Sequence, residues 1–280
     1  MPKPLPRVLL LLMLAFAFTV LPGAPASAQQ AQPDVYVVVT YLKTLPGQEE
    51  AYRNYLSTTA KKIFQEQMAA TPNLLAWSSA QMEFHGTEPG SDFDFVGASV
   101  YAGPPPEVSA LPDPVAQKAA GMSAADLAKK LASLRTIVGT EILRQRAGTT
   151  APAGLGDGDY RVVARVRVTP GMADEYYEAA KTMAEPMMQA RAAAGELKSW
   201  SVWSRLFPAG AGTSYDALTV TYFKDRASAI RGLDARKGTE NFLKTHPDKN
   251  YSSYINNLRD YSQLQQRMLM RVITRVERAR

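Results

Sequence analysis

The stretch Tyr36-Val37-Val38-Val39-Thr40-Tyr41-Leu42-Lys43-Thr44-Leu45-Pro46-Gly47 returns 124 positions later as Tyr160-Arg161-Val162-Val163-Ala164-Arg165-Val166-Arg167-Val168-Thr169-Pro170-Gly171. The same offset carries Tyr52 onto Tyr176. An offset of 123 carries Leu74-Leu75-Ala76-Trp77-Ser78 onto Leu197-Lys198-Ser199-Trp200-Ser201, and one of 122 carries Asp94 onto Asp216. Four matches in one order, with an offset that drifts as loop insertions and deletions would make it drift, mark a duplication. The fold must therefore be one that two copies of a single supersecondary unit can build.

Each copy shows the same order of elements. A β-branched, alternating strand, 35–42 or 160–168, meets the Pro-Gly turn. A long helix follows over 48–70 and 172–194, with Ala51, Tyr52, Tyr55, Thr59 and Ile63 in the first copy, and Ala173, Tyr176, Tyr177, Ala180 and Met183 in the second, at helical spacing. Pro186 is expected to kink the second helix and Gly195 to end it. Two strands come next in each copy, 75–84 with 93–101 and 199–207 with 216–223, as hairpins with longer connections. Ser123 and Asp126 read as a capping-box start before Leu127, Leu131 and Leu134. In the second copy Asp225 starts a short helix, and 251–264 reads as a later one. Strands over 136–144 and 268–276 end the copies. The class is α+β, and β-α-β-β-α-β, twice, is the ferredoxin-like split motif. The repeats are placed at 34–148 and 159–280, and Ala-Pro-Ala-Gly-Leu-Gly-Asp-Gly marks a linker at 149–158.

The start of the chain is expected to be removed. Lys3 and Arg7 precede an apolar run from Val8 to Leu21 and the small-residue site Ala26-Ser27-Ala28, the arrangement of a bacterial export signal over 1–28. The run is shorter than the roughly 20 residues a membrane-crossing helix needs. A periplasmic or secreted protein follows, with no stable membrane span after cleavage. Its 252 remaining residues carry a charge of about +4 and no cysteine. No disulfide framework, thiolate nucleophile or Cys-ligated metal is available to it. Export, the small net charge and the lack of a recognition module disfavour nucleic acid as a partner.

The Pro-Gly turn after the first strand, the helix that begins near Tyr52 or Tyr176, and the Trp-bearing second strand together resemble the dimeric α/β-barrel superfamily. The resemblance covers nearly all of 34–280. It implies two ferredoxin-like units with the open faces of their sheets together, helices outside and a cavity between. The superfamily includes cofactor-independent monooxygenases, isomerases, haem-binding peroxidases, haem-degrading enzymes and NIPSNAP-like proteins. Fold alone does not choose among them, and no catalytic motif of these families is matched here.

On the strand 160–168, Val162, Ala164, Val166 and Val168 share the face suited to packing under helices, whereas Arg161, Val163, Arg165 and Arg167 share the other. Trp203 and Arg205 alternate with Trp200, Val202 and Ser204. Arg271 and Arg275 alternate with Met270 and Val272. If the arginine-bearing face lines the barrel, it makes a pocket for an anionic or planar acidic ligand; if it faces solvent, it is a soluble surface. Arg165, Trp203 and Arg205 are the ligand-binding candidates: guanidinium groups for an anionic substituent and an indole as an apolar wall. The first copy has Val37, Tyr41, Lys43 and Ala80 where the second has Arg161, Arg165, Arg167 and Trp203, as expected of one asymmetric cavity or of simple drift.

Metal and haem chemistry would rest on two histidines, His85 beside Gly86 and His246 before Pro247, both read as loop residues. No His pairing is spaced for a metal, so no metal site is expected; haem is a minor option and no cofactor is the primary expectation. Acid pairs such as Glu49–Glu50 and Asp174–Glu175 fall in first helical turns, where they complement the helix dipole. Two functions of different class follow: a small-molecule binding protein or enzyme using the cavity, or a non-enzymatic assembly or stress-related protein, with a homo-oligomer open in either case. An enclosed void of a few hundred cubic ångströms, with the three candidates converging on it, favours the first. A lumen filled by aromatic and aliphatic side chains favours the second.

Overall fold

The computed structural model describes residues 34–83, 93–107, 111–149, 154–210 and 212–278. The expected signal at 1–28 lies outside them, as do Phe84, His85 and residues 150–153 of the expected linker.

The first copy contributes β1 (Val35–Thr44), β2 (Leu74–Met82), β3 (Phe95–Ala102) and β4 (Arg135–Gly148), and the second β5 (Tyr160–Val168), β6 (Ser199–Phe207), β7 (Ala217–Phe223) and β8 (Ser262–Glu277). They form one closed barrel in the order β1-β3-β2-β8-β5-β7-β6-β4. Every neighbouring pair is antiparallel. Within each copy the spatial order is the ferredoxin-like one, and the copies join at two seams, β2 on β8 and β4 on β6. The halves thus pair within one chain. Closure also removes the edge strands that two separate four-stranded sheets would leave open to aggregation.

Helices cover the outside: α1 (Glu49–Tyr55), α2 (Lys61–Ala70), α3 (Asp113–Ala120), α4 (Ala124–Ala132), α5 (Ala173–Ala179), α6 (Glu185–Ala193), α7 (Arg226–Arg231), α8 (Ala235–Thr245) and α9 (Tyr251–Tyr261). The long helix expected in each copy is present, with a π-helical turn in its middle, Leu56–Ala60 and Ala180–Ala184. The buried stripe is Tyr52, Leu56, Ala60, Ile63 in one and Tyr176, Ala180, Ala184, Met187 in the other, rather than the Ala51 and Thr59 positions read from spacing. Two successive four-residue steps rotate an α-helical stripe by about 80°; the wider π turn takes up that drift and keeps the stripe on the sheet. Position 62, where Pro186 has its counterpart, is lysine, so proline does not cause the turn. Pro186 lies directly after the π-helical turn, at the start of α6. Gly195 ends the helix in the left-handed region at φ 71°.

Ser123 and Asp225 cap their helices as expected, accepting from the backbone N–H of Asp126 and Ser228. The helices α3 and α8 were not legible, and β8 begins at Ser262 rather than 268. Its polar start, Ser262 to Gln266, is held by β5 on one side only, so it need not be apolar. The flanks of the expected linker are fastened: Thr149 exchanges hydrogen bonds with the Trp200 backbone, and Asp157 accepts from Lys61 Nζ and from the Arg275 N–H.

Two apolar layers lie between helices and barrel, one around Tyr52, Leu56, Trp77 and Phe95 and one around Tyr176, Ala180, Trp200 and Phe223. Burial pushes up to about 12 the phenols of Tyr55 and Tyr177, at the edge of these layers, and of Tyr254, which stacks on Phe242. These groups are protonated in both states below pH 10, so their stability is intact there. It is lost as pH rises from 10 towards 12, where the unfolded chain ionises first, by at most about 1.4 kcal/mol per pH unit for each. Urea unfolding at pH 8, 10 and 11.5 should show a flat first interval and a steep second one; equal stability at all three pH values would contradict this packing.

Candidate functional site

The lumen is where the two copies differ most. On β5 the expected partition holds: Val162, Val166 and Val168 join the outer apolar layer, and Arg161 and Arg165 turn inward, 4% and 5% exposed. Arg167 reaches the rim, paired with Asp216 at 3.5 Å. On β6 Trp203 packs in the lumen core and Trp200 in the outer layer. The repeated acids Asp94 and Asp216 have one job in both copies: each carboxylate accepts from the backbone N–H near the end of β1 or β5, at Thr44 and Val168. The Asp216 carbonyl in turn accepts from Arg205 N at 2.8 Å, which fixes where Arg205 leaves the strand.

One end of the lumen is roofed by a buried polar cluster. Glu141 on β4 accepts from Tyr41 Oη at 3.0 Å, from Tyr215 Oη, and from Arg205 Nη1 at 3.2 Å. The two phenol oxygens lie 3.1 Å apart. Arg205 stacks over the Tyr215 ring at 4.1 Å, and Arg165 stands over Tyr215 and Tyr41 at 4.8 and 5.3 Å while donating to Gln266 Oε1. Burial, and then the neighbouring Glu141 charge, push the Tyr41 phenol up; Tyr215 is pushed up as well, by burial first. The cluster holds its protons and its charges internally.

Below this roof lies a cavity of about 80 Å³. One wall comes from the second copy and carries Arg161, Trp203, Tyr222 and Arg275, joined by Ser78 across the β2–β8 seam. The other wall is Val37, Val39, Val96, Ala98 and Val100 of the first copy. Arg161 donates Nε to Met270 Sδ at 3.4 Å. No carboxylate among the described residues lies within ion-pair distance of it. Arg275 stands 5.8 Å from the Tyr222 ring and donates Nε to Glu277, whose side chain is 40% exposed at the mouth. Burial pushes the Tyr222 phenol up, but the positive charges of Arg161 and Arg275, with hydrogen bonds to Arg161 and Ser78, outweigh it and hold the phenol below its ordinary value.

The barrel registers make the asymmetry explicit. Glu141 lies opposite Val39 on β1, and Met268 takes that place opposite Val163 on β5. Tyr222 faces Arg161, and Val100 faces Val37. Arg275 faces Ser78, and Gly148 faces Ser201. Each charged lumen position thus has an uncharged counterpart in the other half: Glu141 against Met268, Arg161 against Val37 and Arg275 against Gly148.

Of the three ligand-binding candidates, Trp203 lines the cavity. Arg165 and Arg205 are in the lumen but belong to the roof, engaged by Glu141, the tyrosines and Gln266. The void, about 80 Å³, falls short of the few hundred cubic ångströms that would favour a ligand cavity, and one of the three candidates lines it. Arg271 and Arg275 do not share a face: Arg271 is exposed outside, and a register shift between Val272 and Thr274 turns Arg275 inward. An inserted residue of this kind leaves no mark on an alternation pattern. Tyr222 was missed because strand alternation does not distinguish a lumen tyrosine from a packing one.

His246 lies just past the end of α8, outside regular structure as expected, but it is closed to a ligand. It is 8% exposed, stacks on Phe242 at 4.9 Å, and has Nδ1 against Thr245 Oγ1 and Nε2 against the Thr182 carbonyl, outside the barrel. The described lumen does not fit a haem. Ligand pockets are typically about 300–1,000 Å³, the cavity is far smaller, and no histidine or cysteine among the described residues lines it. Among the described residues no helix is long and apolar enough to cross a membrane.

No protein-family model matches the chain, and no curated protein matches it in sequence. Solved structures do match in shape. A provisionally assigned monooxygenase from Fusobacterium nucleatum subsp. nucleatum is similar at TM-score 0.55 and 10% identity, over 89% of this chain and 96% of that one. Another, from Lactobacillus acidophilus NCFM, is similar at TM-score 0.53 and 10% identity, over 88% and 97%. At such identities the likeness is one of fold. Together with the closed order of strands, it identifies the chain as having the dimeric α/β-barrel fold, with both units of the barrel supplied by one polypeptide.

Proposed function

We propose that this protein binds a small anion inside the barrel, against the wall made by Arg161, Tyr222, Arg275 and Trp203. The observation that carries this reading is Arg161: a 4%-exposed guanidinium that lines a cavity and meets no carboxylate among the described residues. Burying an unpaired charge is costly, and a bound anion removes that cost. The roof cluster supplies rigidity on one side of the site, and the aliphatic wall opposite excludes water. The signal pattern over 1–28 supports a periplasmic or extracellular setting for this binding.

Crystals grown with sodium bromide test the location. An anomalous peak within hydrogen-bonding reach of Arg161 is the expected result. Bromide found only on the surface, with the lumen empty of signal, would overturn the reading.

A further inference from the structure

The shape and charge of the cavity specify the ligand more closely than its sign, on the footing of the anion-binding reading above. We infer that the barrel is built for a short-chain monocarboxylate, bound as its anion with the carboxylate on Arg161 and the hydrocarbon against Val37 and Val100.

Three observations lead there. The first is charge. Arg161 is uncompensated, whereas Arg275 shares its charge with Glu277 at the mouth, so the wall offers close to one net positive charge and suits a monoanion. The second is polarity. Val37, Val39, Val96, Ala98 and Val100 face the charged wall across the void. Phosphate or sulfate would turn oxygens towards these side chains and leave them without donors, at a desolvation cost. A carboxylate puts both oxygens on one side, in the plane that a guanidinium fork and the Tyr222 and Ser78 hydroxyls can meet, and leaves its tail apolar. The third is size. The cavity is only about 80 Å³, and Tyr41 with its hydrogen bonds to Glu141 and Tyr215 closes the far end, which favours acetate or propionate over a six-carbon acid.

Isothermal titration calorimetry with sodium acetate, propionate, hexanoate, phosphate and nitrate, at constant ionic strength, decides the matter. Propionate or acetate should bind at least tenfold more tightly than phosphate, nitrate or hexanoate. Arg161→Gln should weaken that binding at least tenfold, and Val37→Asn should shrink the preference for propionate over nitrate. Circular dichroism of both variants guards against misfolding, and Glu277→Gln, at the exposed mouth, should instead tighten propionate binding by removing a competing charge. Phosphate or nitrate binding as tightly as propionate through Arg161 would keep the anion site and overturn the carboxylate assignment. Hexanoate binding as well as propionate would overturn the chain-length limit. No heat with any of the five, in wild type and Glu277→Gln alike, would overturn both this inference and the reading it rests on.

Discussion

Glu141→Met is expected to cost about 3–5 kcal/mol of folding stability, and adding Arg205→Met should return most of that loss. The single change removes the acceptor for Arg205 and for both phenols in a lumen where Glu141 is 8% exposed and the Arg205 side chain 5%. The buried guanidinium then keeps only the Tyr215 carbonyl as an acceptor, and the two hydroxyls are left to each other. The double change is not arbitrary. The matching positions in the other half of the barrel are Met268, opposite Val163 as Glu141 is opposite Val39, and Met82, opposite Met270 as Arg205 is opposite Leu143. The fold already packs a methionine pair there. Equilibrium denaturation of wild type, both single variants and the double completes the cycle. A double variant as unstable as the singles would show that the two halves are not interchangeable in packing.

Much of this architecture was legible because duplication repeats its own evidence. A Pro-Gly turn, a tyrosine on the first helix, a tryptophan on the second strand and an aspartate just before the third each occur twice, and each has the same structural task in both copies. The alternation on β5 put Arg161 and Arg165 on one face and Val162 and Val166 on the other, but which face lines the lumen is settled only by the closed barrel, where the arginines are buried inside. Alternation could not tell which arginine is already engaged. Arg205 and Arg165 meet Glu141, Tyr215 and Gln266 across the barrel, contacts that join residues far apart in sequence, whereas Arg161 meets Met270 and Tyr222 and no carboxylate among the described residues. The register shift after Val272 hid Arg275 for a related reason: an extra residue in a strand reverses the faces beyond it.

Arg161→Met is expected to make the unliganded barrel more stable, by roughly 1 kcal/mol, while abolishing its response to anions. Replacing an unpaired buried guanidinium by an apolar chain of similar length removes a desolvation cost. Met270 is its packing neighbour on β8, and the counterpart position in the first copy is Val37, itself buried at 6%. The Tyr222 phenol keeps Ser78 as a partner. A gain in stability at the expense of binding is the mark of a residue retained for function and not for folding. A structural arginine behaves oppositely, since its loss destabilises the fold whether or not anions are present.

The most direct test of the lumen as a ligand site is therefore the urea unfolding of wild type and Arg161→Met, each with sodium acetate and with sodium HEPES, an anion too bulky for the cavity, at equal ionic strength. Wild type should gain stability with acetate, reaching about 2.7 kcal/mol at a hundredfold excess over the dissociation constant. Arg161→Met should be the more stable protein in HEPES and gain nothing from acetate. An Arg161→Met variant that is less stable than wild type in HEPES, or that responds to acetate as wild type does, would contradict the account.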